Sequence, residues 1–281
     1  MKIIRSIHAL QKALDSQRRR NKQIGFVPTM GYFHDGHLSL MRKARKENDC
    51  VVVSIYVNPT QFGPKEDLKK YPRNRNRDVR LARAEKVDFL FCPSTKEMYP
   101  QGFGTYVTNE PIADILCGAT RPGHFKGVAT IVCKLFNIVG ANVAYFGQKD
   151  YQQLCIIKQL IKDLNIRTRI KMCPIVREAD GLAMSSRNTY LNADQRERAV
   201  VLSHALCVAR TLIKSGERRP HVVINKMKRM LLFKVDRLDY IAVLNATDLS
   251  KVRSISGKMY IGIAAYIGKT RLIDNIVVQT K

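Results

Sequence analysis

The chain has 281 residues, 45% of them hydrophobic, and a formal net charge of +26. That length suits one large domain or two ordinary ones, with enough apolar content for a buried core. No apolar run reaches the length of a membrane span, and the start M-K-I-I-R-S-I-H lacks the apolar core and small residues of a signal peptide, so no membrane-spanning helix is expected and a cytoplasmic protein is.

The seven cysteines are scattered singly, with no C-x-x-C pair, and read as reduced, mostly buried residues. The positive charge suggests anionic partners. However, the basic residues spread along the whole chain, aromatics are not interleaved with them as a stacking platform requires, and no nucleic-acid-binding signature occurs. Nucleic acid is therefore not the expected partner.

Residues 3–19 read as a helix, with Ile7, Leu10 and Leu14 on one stripe. Residues 23–27 form a short apolar strand that Pro28 should end, because proline cannot donate to a ladder. Gly31 permits a sharp turn, and residues 37–46 follow as an amphipathic helix carrying Leu38, Met41 and Ala44. A glycine-bearing turn between a strand and a helix N-terminus is an anion site, since free N–H groups and the helix dipole point at phosphate. His34 and His37 share one helix face if the helix begins near His34. Gly36 lets a ligand approach the backbone closely. H-x-x-H also suits a metal, but zinc needs further ligands, and His8, His124, His204 and His221 show no such spacing.

Residues 50–57 are a continuous β-branched run, the mark of a strand buried on both faces. A loop N-P-T-Q-F-G follows. Residues 78–86 suggest a short helix, 87–92 a strand, 125–139 an apolar helix, 142–146 a strand, 150–164 an amphipathic helix and 166–176 a strand. Strands alternating with helices predict an α/β fold with a parallel sheet, in which ligands bind beyond the carboxyl ends of the strands. The polar clusters at Thr29 and Met30, at 58–61, at 147–150 and from Arg177 onward all fall there. After Val176 the pattern changes to helices over 193–215 and 221–233 and strands over 238–243, 259–267 and 276–278. This predicts two domains, residues 1–174 and a smaller α+β domain over 175–281.

Six motifs occur in order: P-T-M-G-x-x-H-x-G-H (28–37), V-N-P-x-Q-F (57–62), Y-P-R (71–73), R-P-G-H-F-x-G-V (121–128), F-G-x-K-D-x-Q-Q (146–153) and D-G-L-A-M-S-S-R-N (180–188), with R-L-I-D-N at 271–275. Together they resemble the pantoate–β-alanine ligase family over nearly the whole chain. The H-x-G-H element alone is shared across the nucleotidylyl transferase superfamily. The resemblance implies a Rossmann-like catalytic domain, a C-terminal lid domain and a homodimer. It implies ATP as substrate with Mg2+, no tightly bound organic cofactor, and ATP-dependent condensation of (R)-pantoate with β-alanine through a pantoyl adenylate, releasing AMP and pyrophosphate.

The same resemblance casts His37 as proton donor beside His34, with Lys149 and Arg187 as catalytic cations. ATP would be held by Met30, Gly31, His34, Gly36, His37, Gly147, Gln148, Lys149, Asp150, Val176, Met184, Ser185, Ser186 and Arg187. Gln61 and Gln153 would read pantoate, and Gln61 and Asn58 would take β-alanine. The chain departs from the family pattern after Arg73: relatives carry acidic residues that can serve magnesium, whereas here only Asp78 is acidic and Arg77 stands where a carboxylate is often found. Two other readings are an adenylyltransferase that stops at nucleotide transfer, which the N-P-x-Q-F motif with Gln61 and Gln153 argues against, and a basic nucleic-acid-binding protein.

Overall fold

The computed structural model describes residues 1–64 and 66–280. The first part of the chain runs β1 (Lys2–Ile4), α1 (Ile7–Arg18), β2 (Ile24–Thr29), α2 (Asp35–Glu47), β3 (Cys50–Ile55), a tight turn Pro59–Gln61, α3 (Arg75–Ala84), β4 (Phe89–Phe91), two single-turn helices α4 (Thr95–Met98) and α5 (Cys117–Thr120), α6 (His124–Val139), β5 (Val143–Gly147), α7 (Tyr151–Asp163) and β6 (Arg169–Cys173). The six strands form one parallel sheet in the order β1-β4-β3-β2-β5-β6. Alternate side chains of β2 and β5 serve opposite faces. Phe26, Ala144 and Phe146 pack with Leu10, Leu135 and Leu154 on one side, and Val27 and Tyr145 with Met41 and Ala82 on the other. The parallel α/β expectation is met.

Three local expectations are corrected. Residues 3–19 are not one helix: Lys2–Ile4 pairs with Phe89–Phe91, and Ser6, in extended conformation, caps α1 by accepting the N–H of Ala9 at 3.3 Å. Three strand residues are too few to show a period. Pro28 does not end its strand, which continues to Thr29. β5 pairs with β2 only at Gly25 and Phe26, and the Thr29 carbonyl points to β3, where it accepts the N–H of Tyr56. The neighbouring Pro28 therefore faces the side that β5 has already left, and its missing N–H is not needed. Finally, the strand read over 50–57 ends at Ile55; it is interior as expected, lying between β2 and β4 with Val51, Val52 and Val53 fully buried.

From β2 the chain goes to one side of the sheet (β3, β4) and later returns to the other (β5, β6). The divergence of β2 and β5 beyond Phe26 opens a crevice at this switch point, where parallel sheets bind ligands.

The remainder contains the turn Ser186–Tyr190, α8 (Ala193–Ala199), α9 (Val201–Lys214), α10 (Pro220–Leu231), β7 (Arg237–Asn245), β8 (Lys258–Ile267) and β9 (Thr270–Gln279). The strands form an antiparallel sheet in the order β7-β8-β9. β9 is much longer than the expected 276–278, because Arg271, Asp274 and Asn275 interrupt its apolar pattern while it pairs with β8 throughout. Conversely, β6 is shorter than 166–176, its last residues entering a loop. The second core joins α9, α10 and this sheet through Leu202, Leu206, Met227 and Ile261. Ala242, Leu244 and Tyr260 of the same sheet belong to the first core.

Candidate active site

Gly31 makes the turn after β2 with φ +84°, and a Cβ there would lie 2.9 Å from Ile55 Cγ2 and 3.1 Å from Asp78 Oδ2. Asp78 clamps this turn: its two carboxylate oxygens accept the N–H groups of Tyr32 and Phe33, each at 2.8 Å. Arg77 adds a bond from Nη1 to the Phe33 carbonyl at 2.7 Å. Asp78 is 2% exposed, and burial pushes its carboxyl up despite these bonds. Asp78, expected as a possible magnesium ligand, has a structural task in this geometry, each of its oxygens accepting one backbone N–H. No group of three His, Cys, Asp or Glu side chains placed to hold a metal occurs among the described residues.

His34 stands at the N-cap of α2 and His37 lies in its first turn, with ring centroids 4.1 Å apart. The His34 backbone N–H donates to His37 Nδ1 at 3.4 Å, which leaves Nε2 of His37 to carry the ring proton. Burial, then the neighbouring His34 and Lys149, hold the His37 imidazole well below its usual range. Burial and Lys149 lower His34 to about 4. Both rings are therefore neutral at pH 7. His34 Nδ1 is buried without a partner among the described residues. Gly36 lines the cleft and has a further purpose: a Cβ would strike the His34 ring at 2.8 Å, so the glycine makes room for that imidazole over the helix start.

The turn Pro59–Gln61 supplies the second wall. Gly127 of α6 comes so close that a Cβ would lie 2.4 Å from the Thr60 carbonyl oxygen and 2.6 Å from Gln61 N. Asn58 is 1% exposed. Its Nδ2 donates to Gln61 Oε1 and to the Gly127 carbonyl, both at 3.1 Å, and its Oδ1 accepts from Tyr99 Oη at 2.8 Å and Thr60 Oγ1 at 3.0 Å. Asn58 lines the cleft, and its carboxamide, expected at β-alanine, makes internal bonds that orient Gln61. Gln61 Nε2 faces Met30 Sδ at 3.4 Å.

β5 delivers the third wall. A Cβ on Gly147 would meet only open space, so the cleft lies directly over the strand end. Lys149 is one-fifth exposed, with its Nζ 3.9 Å from an Asp150 carboxylate oxygen. Gln153 faces the cleft from the first turn of α7. Gln148 points away, donating to Asn275 Oδ1 at 3.3 Å, while Asn275 Nδ2 donates to the carbonyls of Gln148 and Lys149 at 3.1 and 2.9 Å. The R-L-I-D-N segment therefore braces the turn that carries Lys149.

The loop after β6 forms the fourth wall. The Val176 carbonyl accepts the N–H of Met184 at 3.0 Å, and Arg177 grips Asp274 with two bonds of 2.6 and 3.0 Å. This presents Met184, Ser185, Ser186 and Arg187 to the cleft. Arg187 is paired with Asp67 by bonds of 2.9 and 2.8 Å.

The four walls enclose a cleft of about 240 Å³, and a larger one of about 1340 Å³ shares Lys149, Asp150, Gln153, Ser185 and Arg187 with it. Of the residues expected in the site, Gly31, Gln148 and Asp78 do not line the smaller cleft; they shape its turns. Sequence reasoning missed Arg121 and His124. His124 Nδ1 lies 2.8 Å from the Gln61 carbonyl oxygen and its Nε2 3.0 Å from Arg121 Nη1, and burial and then Arg121 lower its imidazole to about 4. Their signal was the R-P-G-H-F run, whose histidine has no partner in sequence, only in space.

The model of the family described as pantoate-beta-alanine ligase matches residues 2–277. The chain belongs to the pantoate–β-alanine ligase family. It is 52% identical over 280 residues to the pantothenate synthetase of Caldicellulosiruptor saccharolyticus, covering 99% of this chain and all of the relative. It is 50% identical over 287 residues to that of Acetivibrio thermocellus, covering 99% of this chain and all of the relative. The pantothenate synthetase structure from Thermus thermophilus superposes with a TM-score of 0.94 at 41% identity, covering 98% of this chain and 99% of that one. The Francisella tularensis ligase, in complex with β-γ ATP and β-alanine, superposes with a TM-score of 0.81 at 38% identity, covering 99% and 97%. As a member of the pantoate–β-alanine ligase family, the chain is a carbon–nitrogen ligase that forms pantothenate.

Proposed function

We propose that the cleft at the β2–β5 switch point makes pantothenate in two steps from ATP, (R)-pantoate and β-alanine, with no covalent enzyme intermediate. The observation that carries this reading is the buried, unpartnered His34 Nδ1 beside His37 at the α2 N-terminus, facing Lys149 across the end of a parallel sheet. In the first step a pantoate carboxylate oxygen attacks the α-phosphorus and the bond to pyrophosphate breaks. In the second the amine of β-alanine attacks the acyl carbon, the bond to AMP oxygen breaks, and the nitrogen gives up its proton to the medium.

The protein's part is positioning and charge stabilisation. Neutral His37 serves as a hydrogen-bond donor to a phosphate oxygen through Nε2, not as an imidazolium. Lys149 supplies a point charge, and Arg187 a planar fork once released from Asp67. The α2 N-terminus adds its free N–H groups and dipole. The backbone at Met30, Gly147 and Val176 and the Asp150 carboxylate hold adenosine, and Ser185 and Ser186 face the phosphates. Val128, Ile131, Val132 and Phe146 make an apolar wall that suits the two methyl groups of pantoate, while Gln61 and Gln153 read its oxygens. Asn58 acts through Gln61. Magnesium enters on the triphosphate, whose oxygens and water supply its ligands. Residues 175–281 brace and cover the nucleotide side through Arg177, Asn275 and Arg187.

The Gln153 side chain makes no hydrogen bond among the described residues and faces the cleft, so its loss removes a substrate contact without leaving a broken internal one. Gln153→Ala is expected to raise the KM for pantoate by about tenfold or more, as the loss of one hydrogen bond to a charged group implies, with a much smaller change in the KM for ATP. Steady-state kinetics with each substrate varied in turn checks this. An equal rise for both would remove Gln153 from the pantoate subsite.

A further inference from the structure

Consecutive residues of the segment between β3 and α3 are carboxylates, and each grips an arginine that lines the cleft. Glu66 holds Arg121 with bonds of 2.6 and 2.7 Å, and Asp67 holds Arg187 with bonds of 2.9 and 2.8 Å. Tyr190 Oη adds a 3.3 Å contact to Asp67. Parallel two-bond contact with a planar guanidinium is also how a phosphate binds arginine.

The Asp67 and Arg187 side chains are 23% and 28% exposed, shielded but open to exchange. Burial pushes the Asp67 carboxyl up, yet the Arg187 guanidinium outweighs it and holds the acid below its usual range, so the pair is fully charged at neutral pH. The Nε–Nη2 edge of the guanidinium is occupied in this way, so a phosphate oxygen pair can take that same edge only by displacing the carboxylate.

We propose that Asp67 is a built-in stand-in for a nucleotide phosphate: it holds Arg187 in phosphate-binding geometry and must be displaced when ATP binds. The proposal rests on the reading of Arg187 as a phosphate ligand. The cost of breaking the pair sets ATP affinity below its possible maximum, in the manner of a competing internal ligand.

The test is calorimetric titration of the full chain with a non-hydrolysable ATP analogue and magnesium. For a partly exposed ion pair, Asp67→Asn is expected to tighten binding about three- to tenfold, and Asp67→Ala at least as much. In an Arg187→Ala background the Asp67→Asn gain should vanish, whereas a general rise in positive field would persist there. If Arg187→Ala weakens binding but the Asp67 variants leave it unchanged or weaker, the stand-in role is overturned and the phosphate role of Arg187 survives. If Arg187→Ala itself leaves binding unchanged, both fall.

Discussion

His37→Ala is expected to lower the rate of adenylate formation by about two to four orders of magnitude, the range lost when a positioned hydrogen-bond donor or proton-transfer group is removed. The size follows from where the ring sits. Its Nδ1 is taken by the His34 N–H, so Nε2 is left as a donor on a half-buried ring that lines the cleft. A donor of that kind is worth most where charge builds in a water-poor site. The fold should survive. His37 packs on the His34 and Phe33 rings with centroids 4.1 and 5.7 Å away, and α2 retains Leu38, Met41 and Ala44 in the core. Single-turnover formation of pyrophosphate, set beside the thermal melt, separates the two. Unchanged turnover in a folded variant would end the role assigned to His37.

Arg177→Ala carries the largest expected effect on stability. Asp274 is 2% exposed, and the pair with Arg177 is bidentate. Removing only the cation leaves a buried carboxylate without its counter-charge, a change that typically costs about 3 kcal/mol or more. For a chain of this size that corresponds to a fall in Tm of roughly 6–12 °C. The loss should reach the site as well. Arg177 also donates to the Gly181 carbonyl at 3.0 Å, so it shapes the hairpin that presents residues 184–187. The KM for ATP should rise while that for pantoate moves less. Differential scanning fluorimetry with and without a nucleotide analogue checks both, and a Tm within 2 °C of the parent would refute the estimate (about 3 kcal/mol).

What could be read from the chain alone depended on how local the cause was. The buried runs of β3 and β5 and the stripes of α6 and α7 announce themselves, because period and burial are recorded in neighbouring residues. The family motifs then named most of the cleft. Causes that act across space left weaker marks. β1 is too short for a period, and Pro28 is tolerated only because β5 diverges from β2. Arg271, Asp274 and Asn275 made β9 look like a loop, although Asn275 braces the Lys149 turn and Asp274 anchors Arg177. Asn58 entered the site through the family resemblance; only the packing of Gly127 against Thr60 and Gln61 shows the internal bonds it makes. Asp78 stood out in the sequence only as an acid after Y-P-R; its clamp on the Gly31 turn shows only in space.

The central claim is that a pantoyl adenylate forms in this cleft before the amine enters. The most direct test is pyrophosphate release from stoichiometric protein with ATP, magnesium and pantoate, measured by rapid quench with β-alanine withheld and then added. The account predicts a burst of about one pyrophosphate per site without β-alanine, followed by sustained pyrophosphate and AMP production once it is supplied. Pyrophosphate release that requires β-alanine from the first turnover would contradict it.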